Sequence, residues 1–190
     1  MLIYLAGLQG KTYEAVRGAA VTNHKGLFNR VRLELAPTSN SYLPTDKRMT
    51  AFETHSDPHI AALCYQFGRY LLLSSSRPGT EAANLQGIWN ESMNPSWDSK
   101  YTANINLEMN YWPVESGNLS DCAEPLIRLV KELTDHGAQV AKEHYGARGW
   151  VFHQNTDLWR VAAPMDGPTW GTFTVGGAWL CTHLWEHYLY

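Results

Sequence analysis

The chain has 190 residues, of which 44% are apolar and 17% are charged, and its formal charge is −3 at pH 7. This length and apolar fraction suit one packed domain and exclude a disordered chain. The mildly acidic balance, without a basic run, argues against nucleic-acid binding, and no apolar stretch approaches the roughly 18 residues of a membrane span.

The first part of the chain is predicted to pass from a strand into helix and loop. Residues 1–8 are apolar but short and lack a cationic start, so we interpret them as a strand rather than a signal peptide. Thr12 is expected to cap a helix that ends near residue 29. Residues 30–35 alternate between apolar and charged side chains, which predicts a half-buried strand or extended segment. Residues 36–55 are predicted to be loop.

Helices are predicted to dominate from Asp57 onwards. Asp57 suits an N-cap, because the following residue is Pro58 and a proline at the first helical position loses no hydrogen bond. Apolar residues then recur at intervals of three and four, which predicts one amphipathic helix to about Ser75. A shorter helix is expected over residues 103–112, where Pro113 follows.

Two further helices are predicted in the second half. One is expected to be capped by Asn118 or Ser120 and to end at Gly146 in the left-handed conformation. Gly177 is expected to open the last helix. The chain then stops on an aromatic run, whereas termini are usually polar, so we expect it to be part of a longer protein.

Two long loops, residues 76–102 and 147–176, gather amides and carboxylates beside aromatic rings. All eight Trp lie between Trp89 and Trp185. Amides and carboxylates suit sugar hydroxyls, and aromatic rings suit the C–H face of a sugar. The alternative is that the rings only pack helix hairpins and that the polar residues only form caps and turns. The candidate substrate-binding residues are Trp89, Trp97, Asp98, Tyr101, Trp112, His153, Asn155, Asp157 and Trp159.

Asn104 and Asn106 are candidate catalytic residues. In a regular helix a spacing of two points them about 200° apart, so they share one pocket only at a helix start or in an extended segment. An amide oxygen can hold a water for attack but needs a carboxylate nearby. Glycoside hydrolysis uses two carboxylates, and the sequence selects no pair among the five candidates. These candidates are Asp98, Glu108, Glu115, Asp157 and Glu186.

Metal and cofactor chemistry is not predicted. His153 and Asp157 lie four residues apart without a second histidine nearby, and His183 and His187 lack the residue order of a zinc protease. The three cysteines are far apart, fit neither a metal site nor a disulfide framework, and are expected to be free or buried thiols.

Several long sequence words occur in one order. They are GRYLLLSSSRPG at 68–79, NLQGIWN at 84–90, WDSKYT at 97–102, NINLEMNYWP at 104–113, EHYGARGW at 143–150, HQNTDLW at 153–159 and GGAW at 176–179, with LPTD upstream at 43–46. In these words the chain strongly resembles glycoside hydrolase family 95 over about residues 28–190. Members of that family are inverting α-L-fucosidases, with some α-L-galactosidases.

The resemblance implies a mainly α fold. The family has an N-terminal β-sandwich-like domain, a helical linker, an (α/α)6 barrel and a C-terminal β domain. Residues 1–55 would then be the end of the N-terminal β region and the helical linker. Residues 56–190 would be a truncated N-terminal part of the barrel, comprising only its first helices.

The resemblance also implies a function. Asn104 and Asn106 match the family's asparagine pair that positions the attacking water, whereas its assisting Asp and general acid Glu lie later in the barrel. We therefore expect a fragment, inactive when isolated, of an enzyme that removes terminal α-1,2-linked L-fucose from fucosylated oligosaccharides. L-Galactose is the alternative sugar.

Two other classes stay open, a carbohydrate-binding module without catalysis and a structural helical fragment. The full-length parent is expected to be periplasmic or secreted. No cofactor, nucleic-acid partner or membrane contact is expected.

Overall fold

The computed structural model describes residues 7–190, and the fold of this part of the chain is mainly helical. Residues 1–6, and with them most of the predicted first strand, lie outside the described residues, while Gly7 and Leu8 lie in a turn. The chain divides into two compact units, Met1–Ala62 and Leu63–Tyr190. Each unit is described separately below.

The first unit contains helices α1 (Tyr13–Phe28) and α2 (Thr45–Ala51) and a 3₁₀ helix (Ser39–Tyr42). The Thr12 side chain accepts a hydrogen bond from the Ala15 N–H over 3.2 Å, which confirms the predicted cap. Residues 36–55, which are predicted to be loop, contain the 3₁₀ helix and α2, so that prediction is wrong for these two short segments.

Of the two forms predicted for residues 30–35, a half-buried strand or an extended segment, the half-buried strand is wrong. This segment has no strand pairing within residues 7–190, and its leucines Leu33 and Leu35 are exposed. Alternation of apolar and charged residues describes a half-buried strand only where a second strand supplies the hydrogen bonds.

Helix α3 (Pro58–Ser75) begins at the predicted residue, and its cap is charged. The buried Asp57 carboxylate accepts hydrogen bonds from Arg48 Nε over 2.7 Å and from the Ser41 hydroxyl over 3.0 Å. It also accepts from the backbone N–H of Ile60 in the first turn. The Arg48 guanidinium, against the opposing effect of burial, holds the pKa of Asp57 below its usual range, with help from Ser41.

The second unit adds five helices and a pair of two-residue strands. The helices are α4 (Asn106–Tyr111), α5 (Pro113–Ser116), α6 (Glu124–Tyr145), α7 (Pro168–Gly171) and α8 (Gly176–Leu189), with 3₁₀ helices at Ser96–Ser99 and Ser120–Ala123. The strands are β1 (Tyr101–Thr102) and β2 (Asn155–Thr156). Helix α4 begins three residues later than predicted, because the Ala103 N–H donates to the Gln154 carbonyl instead of opening a helix.

Helix α6 forms the centre of the core. Its buried residues recur every three or four positions and are Pro125, Leu126, Leu129, Val130, Leu133, Gly137 and Ala141. Gly146 ends the helix at φ 58°, which confirms the predicted left-handed cap. The predicted N-caps are wrong: a 3₁₀ turn precedes α6, and the Ser120 hydroxyl donates to the Glu115 carboxylate instead.

A buried hydroxyl network fixes the start of the first long loop on α4. The Tyr111 hydroxyl lies 2.7 Å from the Ser76 hydroxyl and accepts from the Ala83 N–H over 2.8 Å. Ser76 also donates to the Cys122 carbonyl over 2.9 Å. Because every polar atom of this network has a partner, the loop is held without the cost of an unsatisfied buried group.

Glycines let the second long loop approach two helices. A Cβ at Gly137 of α6 would lie 2.6 Å from the Val151 carbonyl oxygen, and a Cβ at Gly177 of α8 would lie 2.6 Å from the Trp150 ring. Val151 N–H donates to the Gly137 carbonyl over 3.1 Å. The loop is thus seated between α6 and α8 before it reaches β2.

Candidate functional site

The short strands join the two polar loops. Tyr101 pairs with Thr156 and Thr102 with Asn155 in an antiparallel ladder, and all four residues are buried. The Ala103 N–H extends the ladder by donating to the Gln154 carbonyl over 2.6 Å. The segment that leads to the asparagine pair is therefore held directly against the second polar loop.

Asn104 and Asn106 lie where the ladder passes into α4. Asn104 belongs to the turn before the helix and Asn106 is the first helical residue, and both side chains are exposed. This is the helix start that the spacing of two requires if both amides are to face one site.

Glu108 lies one helical turn after Asn104 and is fully buried. Neither carboxylate oxygen has a hydrogen-bond partner among the described residues. Burial raises the pKa of Glu108 to about 7 and outweighs a lowering effect of its own backbone N–H. A carboxyl group in this state exchanges a proton near neutral pH, a property that nothing in its sequence position indicated.

A lysine bridges the two loops beside the ladder. The Lys100 ammonium lies 2.7 Å from Asp166 and 3.2 Å from Asp98, and only 11% of the lysine side chain is exposed. Asn155 Nδ2 donates to the same Asp166 oxygen over 2.7 Å. Burial acts to lower the pKa of Lys100, but its hydrogen bonds to Asp166 and Asp98 outweigh this and the pKa is raised. Sequence reasoning missed Asp166, which lies 66 residues from Lys100.

The turn before Lys100 is strained. Trp97, Asp98 and Ser99 have φ values of 55°, 55° and 49°, in the left-handed region that side chains with a Cβ disfavour. Such strain persists only where surrounding contacts enforce it, and it often marks functional sites. Here it presents the Trp97 ring and the Asp98 carboxylate to solvent.

Asp157 and Trp159 lie in a tight turn after β2. Asp157 Oδ1 accepts from the backbone N–H of Trp159 over 2.9 Å, and the Trp159 ring is 75% exposed. Arg160, at φ 62°, closes the turn and is buried. The arrangement leaves an aromatic ring free for a ligand while one carboxylate oxygen fixes the backbone beneath it.

His153 is placed differently from its predicted role as a sugar contact. It is fully buried, its Nδ1 donates to the Ala162 carbonyl over 2.7 Å, and its Nε2 lies 2.7 Å from the Tyr145 hydroxyl. A sugar contact would require a free ring nitrogen on a pocket wall. His153 therefore stabilises the second long loop by joining it to Tyr145 of α6.

Tyr101 is likewise buried, and its hydroxyl donates to the Ala82 carbonyl over 3.0 Å. Its side chain ties the ladder to the first long loop and has no free face for a sugar ring.

The other two candidate tryptophans, Trp89 and Trp112, line separate cavities. Trp89 borders a cavity of about 400 Å³ between α3 and the first long loop. Gln86 of the loop and Asn110 of α4 also line this cavity. Trp112 borders a cavity of about 240 Å³ with Glu115 and His183. The structure thus gathers Asp98 and Asn155 around Lys100 but gives Trp89 and Trp112 other surroundings.

Within residues 7–190, no three His, Cys, Asp or Glu side chains form a group that could hold a metal ion. No helix of this described part is long and apolar enough to cross a membrane.

The comparison with protein families decides the identity of the chain. The model of the glycosyl hydrolase family 95 catalytic domain matches residues 12–190. The chain belongs to glycoside hydrolase family 95. It is a glycoside hydrolase by family.

Curated relatives agree with the family. The chain is 44% identical to "Alpha-L-fucosidase 2" of Arabidopsis thaliana over 98% of its own length and 23% of the relative. It is 37% identical to "Probable alpha-fucosidase A" of Aspergillus niger, over 95% of the chain and 23% of the relative. A protein of the same name from Aspergillus oryzae is 31% identical over 92% of the chain and 25% of its own length. The family 95 chain thus spans about a quarter of the length of these relatives.

Proposed function

We propose that the chain forms the water-positioning part of a glycoside hydrolase that removes terminal α-1,2-linked L-fucose with inversion. The proposal rests on membership of family 95 and on the names of its fucosidase relatives. The observation that carries it is the exposed asparagine pair at the start of α4, held beside the second polar loop by the ladder. L-Galactosides are the competing substrates.

The catalytic role of Asn104 and Asn106 follows from what an amide can do. Its carbonyl oxygen accepts a hydrogen bond from water and aims the water oxygen, but a neutral amide takes no proton at neutral pH. In the proposed step, the water oxygen bonds to the anomeric carbon as the glycosidic bond breaks. The water gives one proton to a carboxylate, and a general acid protonates the leaving oxygen.

The two catalytic carboxylates, the Asp that assists the asparagine pair and the general acid Glu, are proposed to lie in other parts of the full-length protein. The relatives are about four times as long as this chain, which leaves room for them. Residues 1–55 are proposed as the end of the N-terminal β region and the helical linker, and residues 56–190 as the first helices of the (α/α)6 barrel. The isolated 190-residue chain is therefore proposed to be inactive.

The sugar is proposed to lie over the joined loops. Trp97 and Trp159 offer exposed rings for its C–H face, and the exposed Asp98 offers a carboxylate beside Lys100, whereas the buried Asn155 holds Asp166 in place. The buried ladder beneath gives these groups a rigid base, as orientation of a sugar for in-line attack requires.

The proposal is tested on the full-length protein with an oligosaccharide that ends in α-1,2-linked L-fucose. Proton NMR should detect β-L-fucose as the first product, which is the mark of inversion. Asn104→Ala and Asn106→Ala should each lower kcat by about 100-fold, whereas the exposed Asn29→Ala should leave it unchanged. Release of α-L-fucose first, or unchanged kcat in both asparagine variants, would contradict the mechanism.

Parallel assays decide the finer points. Faster cleavage of an L-galactoside or of another fucosyl linkage would overturn the proposed specificity. Turnover by the isolated chain would show that it contains the necessary carboxylates.

A further inference from the structure

We propose that Arg160 is a positioning residue that clamps the sugar-binding turn of residues 157–161 in place. This inference rests on the proposed function, because it assigns to Arg160 the placement of Trp159 against the sugar. Arg160 itself is buried, with 9% of its side chain exposed, so it acts through the turn rather than on the substrate.

The guanidinium joins three parts of the fold. Nη2 donates to Glu81 Oε2 in the first long loop over 2.6 Å, and Nε donates to Glu132 Oε2 of α6 over 2.7 Å. Nη1 donates to the backbone carbonyls of Asp157 and Leu158, both over 3.2 Å. One side chain thus ties the turn to the helix that centres the core and to the loop that precedes the ladder.

The backbone of Arg160 is held by two further contacts. Its φ of 62° lies in the left-handed region, which an arginine adopts only when its surroundings enforce it. Its carbonyl accepts from His136 Nδ1 over 2.8 Å, and its N–H donates to the Asp157 carbonyl over 3.2 Å. The guanidinium bonds hold the carbonyls of the turn, and the backbone bonds hold the peptide of Arg160 that follows Trp159.

Lysine cannot replace this geometry. Arg160 directs donors from all three guanidinium nitrogens to two carboxylates and two carbonyls, whereas a lysine has one nitrogen with three donors. Arg128 Nη1 lies 3.6 Å from Glu81 Oε1 and 3.8 Å from Glu132 Oε1 and so balances the charge of the same two glutamates. Among the contacts of residues 7–190, no bond joins Arg128 to the turn.

The test compares Arg160→Lys and Arg160→Gln in the full-length protein with Arg148→Gln, an exposed arginine of the same loop. We expect both Arg160 variants to raise KM for the fucosyl oligosaccharide about tenfold, with kcat within about twofold of wild type. Glu132→Gln, which removes one arm of the clamp, should shift KM in the same direction by a smaller factor. Arg148→Gln should leave KM unchanged.

Hydrogen exchange gives a readout that does not depend on activity. The N–H groups of Trp159 and Val161, both held by Asp157 Oδ1, should exchange faster in the Arg160 variants, while those of α6 should keep wild-type rates. Faster exchange together with no fucoside hydrolysis by the wild-type protein would retain the clamp and overturn the proposed function.

Wild-type exchange in the turn, or a fall in kcat with unchanged KM, would overturn the inference. If Arg160→Gln fails to fold, the milder Glu132→Gln decides: unchanged KM and unchanged exchange in that variant would also overturn it.

Discussion

Asn155 and Asp166 are joined by a hydrogen bond of 2.7 Å, from the amide Nδ2 to the carboxylate oxygen that also receives Lys100. Asn155 belongs to the ladder, and Asp166 lies eleven residues further along the same loop. The bond therefore closes the loop on itself while Lys100 anchors it to the turn at Asp98. Charge pairing at this point supplements the two residue pairs of the ladder.

Asp166→Asn should weaken the joined loops. The variant keeps a residue that tolerates the left-handed φ of 71° but removes the charge beside the mostly buried Lys100. We expect the free energy of unfolding to fall by about 1 kcal/mol, since the carboxylate is partly exposed and the pair is partly screened. Urea unfolding measures this, with the exposed Asp135→Asn as control. Equal stabilities of the two variants would refute the role of Asp166.

Local signals in the sequence predicted the ends of helices. The start of α3 at Pro58 and the end of α6 at Gly146 depend on residues within one turn, which a sequence displays directly. The predicted cap at Ser120 failed because Ser120 bonds to Glu115, and such a competing partner is visible only once the chain is folded.

Tertiary relationships in the site lay beyond the sequence. Strands of two residues carry no periodic pattern, so the pairing of Thr102 with Asn155 has no local signal. Asp166 and Arg160 likewise gain their partners from segments dozens of residues away. The polar composition of both loops predicted a site there, whereas the buried positions of Tyr101 and His153 depend on packing. The roles of Asn104 and Asn106 stay predictions.

Glu108 should make the fold less stable as pH rises. Its pKa is about 7 in the folded chain against an ordinary value of 4.5. Between these pH values the unfolded chain releases the proton while the folded chain keeps it, so rising pH lowers the free energy of the unfolded chain relative to that of the folded chain. Stability from the protonated group is complete below about pH 4.5 and is lost by about pH 7, with a total near 3 kcal/mol. Urea unfolding across this range should show the slope.

The matched variant is Glu108→Gln, which has a similar shape and no charge. It should remove this slope and make the variant more stable than wild type above pH 7. The exposed Glu143→Gln should keep the wild-type slope. Parallel pH profiles for wild type and Glu108→Gln would contradict the raised pKa.

Asp57 should produce the opposite dependence in the first unit. Arg48 holds the pKa of Asp57 below its ordinary value of 3.8, so the folded chain takes up the proton less readily than the unfolded chain. Its stabilising effect is complete at neutral pH and is lost as pH falls below about 4 and through the lowered pKa. Asp57→Asn should lower the stability of the folded chain at pH 7. On acidification, the variant should lose less stability than wild type.

Thermal unfolding at pH 7 and pH 3 measures this difference, and Asp46→Asn, an exposed aspartate at the start of α2, is the control. If Asp57→Asn and wild type lose equal stability at pH 3, the ion pair with Arg48 does not set the acid dependence.

Gly137 and Gly68 should respond in opposite directions to replacement by alanine. Both lie inside helices, where alanine ordinarily stabilises by about 0.5–1 kcal/mol because it restricts the unfolded chain. At Gly68 an added Cβ meets nothing within 4 Å, so Gly68→Ala should show that gain. At Gly137 the Cβ would lie 2.6 Å from the Val151 carbonyl, and the loop must move. Gly137→Ala should therefore lose about 1–3 kcal/mol.

The same pair of variants tests how the second loop is seated. Because Val151 donates to the Gly137 carbonyl over 3.1 Å, displacing the loop also breaks a backbone hydrogen bond, and exchange of the Val151 N–H should accelerate in Gly137→Ala. In Gly68→Ala the same N–H should exchange at the wild-type rate. A stabilising Gly137→Ala with unchanged exchange would mean that the loop can shift without cost, and that the close approach to α6 does not position the site.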